Sequence, residues 1–446
     1  MLQFGEQIER IKKKLLVAAK IDSDRHVFGA SSHQYHIGET LDEAAVSEFE
    51  KTHQISLPAC FKAFLCKIGN GGKSQLQSAA GPFYGIYPLG ENLNEICDPV
   101  YLRRPVKIYP HLTDEYWEDL TKSINDDDIS DEDYDAALGS IYAGILPIGS
   151  QGCTYIHGLI LNGPHEGKVV NLDLDRQKPI FTFEATFLDW YERWLDEIIS
   201  GELTQGQPTW FGYRMGGPVA TLLALYKSAS DKVIKLDCLN GILGKHQVDA
   251  DTVKIFEKEY QSATDDYKEL WLQILSKFNY QVAKPYLVTT TNLLCVYRFI
   301  FWYAKDKSQE WREHITQNIH QITDEETFRF CTYLLFEMNF DYGPLIVPML
   351  RSSNSGIRQT AIYTLGKLKH KSVYIDTFIE GLHDNSNNVI HSSLQALSDI
   401  KDKRLLPHYK LVAERFPEET GYILSNLRQR LQTYGLTLSD IKKRDY

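Results

Sequence analysis

The 446-residue chain is poor in the features that mark secreted, membrane or metal-binding proteins. Its seven cysteines (Cys60, Cys66, Cys97, Cys153, Cys238, Cys295, Cys331) are odd in number and scattered, with no Cys-x-x-Cys pair. A disulfide framework and a zinc ribbon are therefore excluded, and the thiols read as reduced and mostly buried. Long apolar runs are missing as well. The most lipid-like run, Leu293 to Ala304, has about twelve residues and contains Arg298, too short and too charged to span a bilayer. The N-terminal MLQFGEQIERIKKKLLVAAK carries charge on both sides of a short apolar stretch, which predicts an amphipathic helix and no signal peptide. These absences predict a soluble, cytoplasmic protein. Basic charge is also in deficit, at 48 Lys+Arg against 59 Asp+Glu for a net charge of -11. That balance argues against nucleic-acid binding.

What the chain does have is ample core material. Hydrophobic residues make up 43%, charged residues 24% and aromatics 12%, the profile of a globular protein with bulky cores. The length suggests two or three domains.

Motifs of catalysis and cofactor binding are absent. Gly72-Lys73-Ser74 resembles the end of a phosphate-binding loop, but Lys67 stands where that motif needs its first glycine, so a plain turn is expected. Cys153 and His157 lie four apart and His33 and His36 three apart, neither with a second pair nearby, so no metal site is expected. Asp173 and Asp175 alternate with Leu172 and Leu174, as on the outer face of a strand. There is no GxSxG, HExxH or GxGxxG. The expectation is a protein that is not an enzyme, with no catalytic residues and no cofactor.

The charge is concentrated. Residues 1–215 hold 19 basic and 32 acidic side chains, whereas residues 216–446 hold 29 and 27. Within 114–135 alone, eleven carboxylates face one base, Lys122. Burying such a block unpaired would cost several kcal/mol per carboxylate, so it must be a solvated loop or the exposed face of a helix. Asp126, Asp127, Asp128, Asp131, Glu132 and Asp133 are its densest part and the candidate docking patch for a basic partner.

The first half mixes helix and strand signals. Thr40-x-x-Glu43 fits a capping box opening a helix to about Thr52. Pro58 opens a second, with Phe61, Phe64, Leu65 and Ile68 at helical spacing and Gly69 to close it. After the acidic run, Ile145–Ile148, Tyr155–Leu161, Lys168–Leu174 and Pro179–Phe183 read as short strands joined by glycine turns. Thr186-x-x-Asp189 caps a last helix whose Phe187, Trp190, Tyr191, Trp194, Leu195 and Ile198 form one apolar face for core packing. This is an α+β domain over about 1–200, with an acidic insertion at about 97–138. Gly, Pro and Gln mark 201–218 as a linker. From 219 to 446 only helical signals remain, and Ile357–Leu368 shifted by 32 residues superposes Ile357, Ile362, Leu365 and Leu368 on Val389, Leu394, Leu397 and Ile400. Such a period predicts stacked helix pairs.

An ordered set of pieces in the first half resembles the SUKH superfamily, whose eukaryotic branch includes the Smi/Knr cell-wall-assembly regulators. The pieces are Ile55-x-Leu57-Pro58 with the helix Cys60 to Ile68, Asn70-Gly71-Gly72, and Gly81-Pro82-x-Tyr84-Gly85-Ile86-Tyr87-Pro88-Leu89. Then follow Leu146-Pro147-Ile148-Gly149-x-x-Gly152, Asn162-Gly163-x-x-x-Gly167-x-Val169 and Phe187-Leu188-Asp189-Trp190-Tyr191-x-x-Trp194-Leu195. The second half resembles HEAT-type repeats, with a period shorter than their usual forty or so. The SUKH resemblance implies an α+β fold. It further implies a bacterial immunity protein that binds and blocks a polymorphic toxin, often a nuclease, by stoichiometric contact. The alternative is a non-enzymatic interaction scaffold comparable to the Smi/Knr regulators. A basic protein toxin is the expected partner, with neither nucleic acid nor membrane.

Overall fold

In the computed structural model, residues 4–126, 128–205, 210–416 and 421–444 are described. The chain divides into two compact units, 1–248 and 249–446.

The first unit is built on a meander. Strands β1 (Ile145–Gly152), β2 (Tyr155–Ile160), β3 (Val169–Asp173) and β4 (Ile180–Phe181) pair antiparallel in the order β1-β2-β3-β4. Helices α1 (Gly5–Ile21), α2 (Glu43–His53) and α3 (Ala59–Lys67) precede it. Helices α4 (Asp114–Thr121) and α5 (Asp131–Ile141) come from the acidic stretch. Helices α6 (Phe187–Ile199), α7 (Val219–Ser228) and α8 (Lys232–Leu243) follow the sheet. The expected segments are all present. One cap differs: Asp42, not Thr40, caps α2, its carboxylate accepting from Ala45 N at 2.7 Å. The Thr186/Asp189 capping box of α6 forms as read. The Gly-Pro-x-Tyr-Gly piece runs beside β1, where Tyr87 N donates to Ile148 O at 2.9 Å and covers part of that strand's open edge.

Both faces of the sheet are buried, and period-two alternation sorts its side chains. Leu146, Ile148, Leu159 and Val169 face a core made with α1, α3 and α6, in which Phe187, Trp190, Tyr191 and Trp194 are almost fully buried. Phe64 meets Phe187 edge-on at 5.2 Å, and Tyr191 OH donates to Ala80 O at 2.7 Å. Burying each such ring contributes on the order of 2–3 kcal/mol. Helix α1 is held to α6 by charge: Arg10 and Lys14 each reach Glu192 at 2.9 Å. Burial works to raise the Glu192 pKa, but hydrogen bonds from Arg10, Lys14 and Gln7 hold it below the usual value.

Ile145, Ile156, Ile160, Val170 and Leu172 point the other way, into a second core with Ile108, Leu112, Trp117, Ile124, Ile141 and Tyr142. The acidic stretch is thus more than a solvated insertion, since it roofs one face of the sheet. Asp173, read as an outer-face residue, is only 6% exposed; it accepts from Thr154 Oγ1 at 2.7 Å and from Asp175 N at 3.0 Å.

Residues 210–217 lie within the stretch read as a linker. Phe211 is buried in the first core, and Tyr213 OH donates to Gln151 Oε1 at 3.0 Å. Arg193 Nη2 donates to Arg214 O at 2.8 Å, and this approach requires glycine, because a Cβ on Gly216 would stand 1.9 Å from Arg193 Nε. Beyond this strap, α7 and α8 group with the first unit. His111 meets Asp237 of α8 at 3.5 Å, and Lys245 pairs with Glu202 at 2.7 Å.

The second unit is entirely helical among its described residues. Helix Asp265–Phe278 packs on Leu293–Tyr303, which packs on Glu325–Phe336, then Ser355–Gly366, Asn387–Ala396 and Gly421–Gln432. A second row runs Ile375–Leu382, Leu405–Arg415, Leu438–Lys443. Contact between alternate helices in two rows is the packing of a helical-repeat-like region. The superposed Ile357, Ile362, Leu365 and Leu368 are buried, as are Val389, Leu394 and Leu397. The apolar run at Leu293 is one of these stacked helices. No helix among the described residues is long and apolar enough to cross a membrane.

Candidate partner-binding face

Local rules place the carboxylates. Thr113 Oγ1 caps α4 by accepting from Tyr116 N at 3.1 Å, with Asp114 and Glu115 in the first turn. Ser130 Oγ caps α5 by accepting from Asp133 N at 3.2 Å, with Asp131, Glu132 and Asp133 in its first turn. Negative charge in first turns is favoured by the helix dipole. The apolar side of each helix then turns the acids outward. Trp117 and Thr121 bury one side of α4 while Asp114, Glu115, Glu118 and Asp119 stay exposed.

The face is fastened to the sheet through the β3–β4 turn. Trp117 Nε1 donates to Arg176 O at 3.2 Å. Arg176 Nη1 donates to Ile124 O at 2.8 Å, and its guanidinium lies over the Tyr134 ring at 5.5 Å. Lys178 pairs with Asp114.

Of the six residues singled out in the sequence, Asp126, Asp128, Asp131, Glu132 and Asp133 are exposed, and Asp127 lies outside the described residues. None of the five has an ion-pair partner among the described residues. Asp126 Oδ1 accepts from Asp128 N at 3.1 Å and Asp133 Oδ2 accepts from Ser130 Oγ at 2.8 Å. Sequence reasoning left out Glu115, Glu118, Asp119 and Asp135, which are exposed and equally without cations. The excess of carboxylates across 114–135 is the sequence signal that covers them. The surface is a rigidly backed carboxylate array suited to attracting a cationic surface.

The other candidate groups do not converge. Cys153 is exposed, whereas His157 is fully buried and faces Gln151 Nε2 at 3.2 Å and Asn171 Oδ1 at 3.0 Å. Burial pushes the His157 pKa down to about 3. His33 is buried too, its pKa lowered to about 4 by burial, and its Nδ1 accepts from Tyr35 N at 3.0 Å. Ser74 Oγ accepts from Ser78 N at 2.7 Å, closing the Gly72-Lys73-Ser74 turn. Among the described residues no group of three His, Cys, Asp or Glu side chains is placed to hold a metal ion.

A four-stranded meander backed by an aromatic capping helix, with helices before and after, defines a small α+β module. Residues 40–193 match the SMI1 / KNR4 family (SUKH-1), so the first unit carries a domain of that family. Neither a curated protein nor a solved structure matches the chain.

Proposed function

We propose that the protein is a cytoplasmic immunity protein that neutralises a basic protein toxin by stoichiometric binding, without turnover of its own. The SMI1/KNR4 family includes immunity proteins, and the carrying observation is the acidic face: exposed carboxylates on and between two capped helices, of which only Asp114 has an ion-pair partner among the described residues. Opposite charge on the partner steers encounter and supplies specificity, whereas phosphate backbones are repelled. The seven thiols are all free, in keeping with a reducing compartment. Co-expression with the toxin encoded beside the gene tests the reading. Rescue of growth and one-to-one co-purification support it, and their joint absence defeats it.

A second reading rests on the helical unit. Its two rows of stacked helices offer an extended surface of the kind used by interaction scaffolds. Several proteins co-purifying in place of one basic partner would favour a scaffold comparable to the Smi/Knr regulators.

A further inference from the structure

Within the first unit, β3, β4, α6, α8 and the strap 210–216 enclose a cleft of about 570 Å³, the size of a small-molecule site. Its aromatic wall is Trp210, which stays 56% exposed while Tyr155 and Tyr213 meet it edge-on at 5.5 and 5.4 Å. Three of its four cations are already matched: Lys178 with Asp114, Arg193 with Glu184 and Glu197, and Lys245 with Glu202. Two lining charges are left over. Arg214 has no partner for its guanidinium among the described residues, and Asp173 has no cation there either.

A third lining group is unsatisfied. Asn171 is 3% exposed, and its Nδ2 has no hydrogen-bond partner. Its orientation is fixed by relay: Tyr213 OH donates to Gln151 Oε1, Gln151 Nε2 donates to Asn171 Oδ1 at 3.0 Å, and the amide N–H₂ is left over. Trp190 Nε1 is also unpartnered, and a Cβ on Gly212 would stand 3.5 Å from it and 3.7 Å from Asn171 Nδ2. Two buried donors thus border one spot beside the strap. Leaving buried N–H groups unpaired is costly, which is why such groups point to a ligand or a bound water.

An apolar ligand would leave Asn171 unsatisfied, and a simple anion would set its charge against Asp173. The set calls for a flat ring with N–H donors at one end, an acceptor nearby and an oxyanion at the other. We propose that this cleft binds a nucleoside monophosphate with an amino-bearing base, stacked on Trp210, its N–H edge toward Asp173, an acceptor toward Asn171 Nδ2 and its phosphate toward Arg214. Binding is the whole of the claim; no bond is made or broken.

Calorimetric titration of the full chain with GMP, AMP, CMP and UMP, followed in parallel by tryptophan fluorescence, tests it. At least one amino-bearing nucleotide binds saturably, about tenfold tighter than UMP, its free nucleoside or inorganic phosphate. Trp210→Ala and Arg214→Gln each weaken that binding by about tenfold, and because both side chains are exposed their circular dichroism is unchanged. Asn171→Asp, which replaces the donor with an acceptor, weakens it further if the variant folds. No binding at millimolar nucleotide by a folded chain overturns the proposal. So does affinity unchanged in the Trp210→Ala/Arg214→Gln double variant, or inorganic phosphate binding as tightly as the nucleotides. The titration needs no toxin, so its outcome and that of the acidic-face reading are separate.

Discussion

Side-chain hydrogen bonds in the first unit reach across as many as 185 residues, from Gln7 to Glu192, whereas among the described residues of the second the longest spans 36, from Arg430 to Leu394. The bonds that join different helices of the second unit span about one repeat, as from Gln273 to Tyr303 at 30 residues, Lys305 to Glu337 at 32 and Tyr374 to Asp341 at 33. One unit is closed by its first helix, α1, returning to α6. The other is a stack in which, among the described residues, each layer packs chiefly on its neighbours. Long-range closure makes a domain lose its structure together, and nearest-neighbour stacking lets damage stay local.

Four experiments press on that contrast. The largest effect is expected from Trp190→Ala, which empties the centre of the first core and should cost about 3–5 kcal/mol. Denaturant melts should show the first unit lost as a whole while the transition of the helical unit persists. A common transition for both would erase the contrast.

Acid comes next. His157 and His33 are held neutral in the fold, with pKa values of about 3 and 4 against an ordinary value of about 6.5. The unfolded chain therefore takes up protons first as pH falls. The stabilisation is fully present above about pH 6.5 and is lost as pH drops toward those folded values, by up to about 1.4 kcal/mol per pH unit for each ring. His157→Gln should flatten this dependence in the first unit, as read by melting from pH 7 to pH 4. An unchanged slope would show that the ring is not neutral in the fold.

Arg358→Ala should have a smaller, confined effect. Its guanidinium grips Asp384 at 2.7 and 2.8 Å and Ser352 O at 2.9 Å, and the loss should be about 2 kcal/mol. Hydrogen exchange should quicken in Ser355–Gly366 and Ile375–Leu382 and stay unchanged in Asp265–Phe278. Spread through the whole unit would argue against layer-by-layer stacking.

The smallest effect on stability belongs to the acidic face. Changing Asp126, Asp128, Asp131, Glu132 and Asp133 to their amides should alter stability by about 1 kcal/mol or less in total, because the lost helix-dipole contacts are offset by the relief of like-charge repulsion. The same variant should slow association with a basic partner and flatten its salt dependence in stopped-flow measurements. Unfolding of this variant would mean the carboxylates are structural.

Most of the first unit's framework was legible because local signals agreed with tertiary need. The Thr186/Asp189 box, the glycine turns between strands and the aromatic periodicity of α6 each name an element unaided. The α+β domain followed by an all-helical region was likewise readable. The second core was not. In 114–135 eleven carboxylates dominate the composition, and the buried apolar residues beneath them, Trp117 and Ile124, are too few to announce a buried face. The strap was hidden for the opposite reason. Glycine at 212, 216 and 217 reads as a linker, yet Gly212 supplies a left-handed turn (φ +84°) beside Trp190 and Gly216 lets Arg193 come close. Asp42 competed with Thr40 as a helix cap, and spacing alone could not choose between two good capping residues. The cleft draws on β3, α6, the strap and α8, elements up to seventy residues apart, so no sequence window contains it.

The family likeness begins at residue 40 and stops at 193, inside α6. A fragment cut to those limits would discard Trp194, Leu195 and Ile198, together with the helix that salt-bridges Glu192. Its aromatic floor would open to water and invite aggregation. Inheritance and foldability have different edges in this molecule, and anyone wishing to express the module alone should cut by the burial of α1 and of the strap.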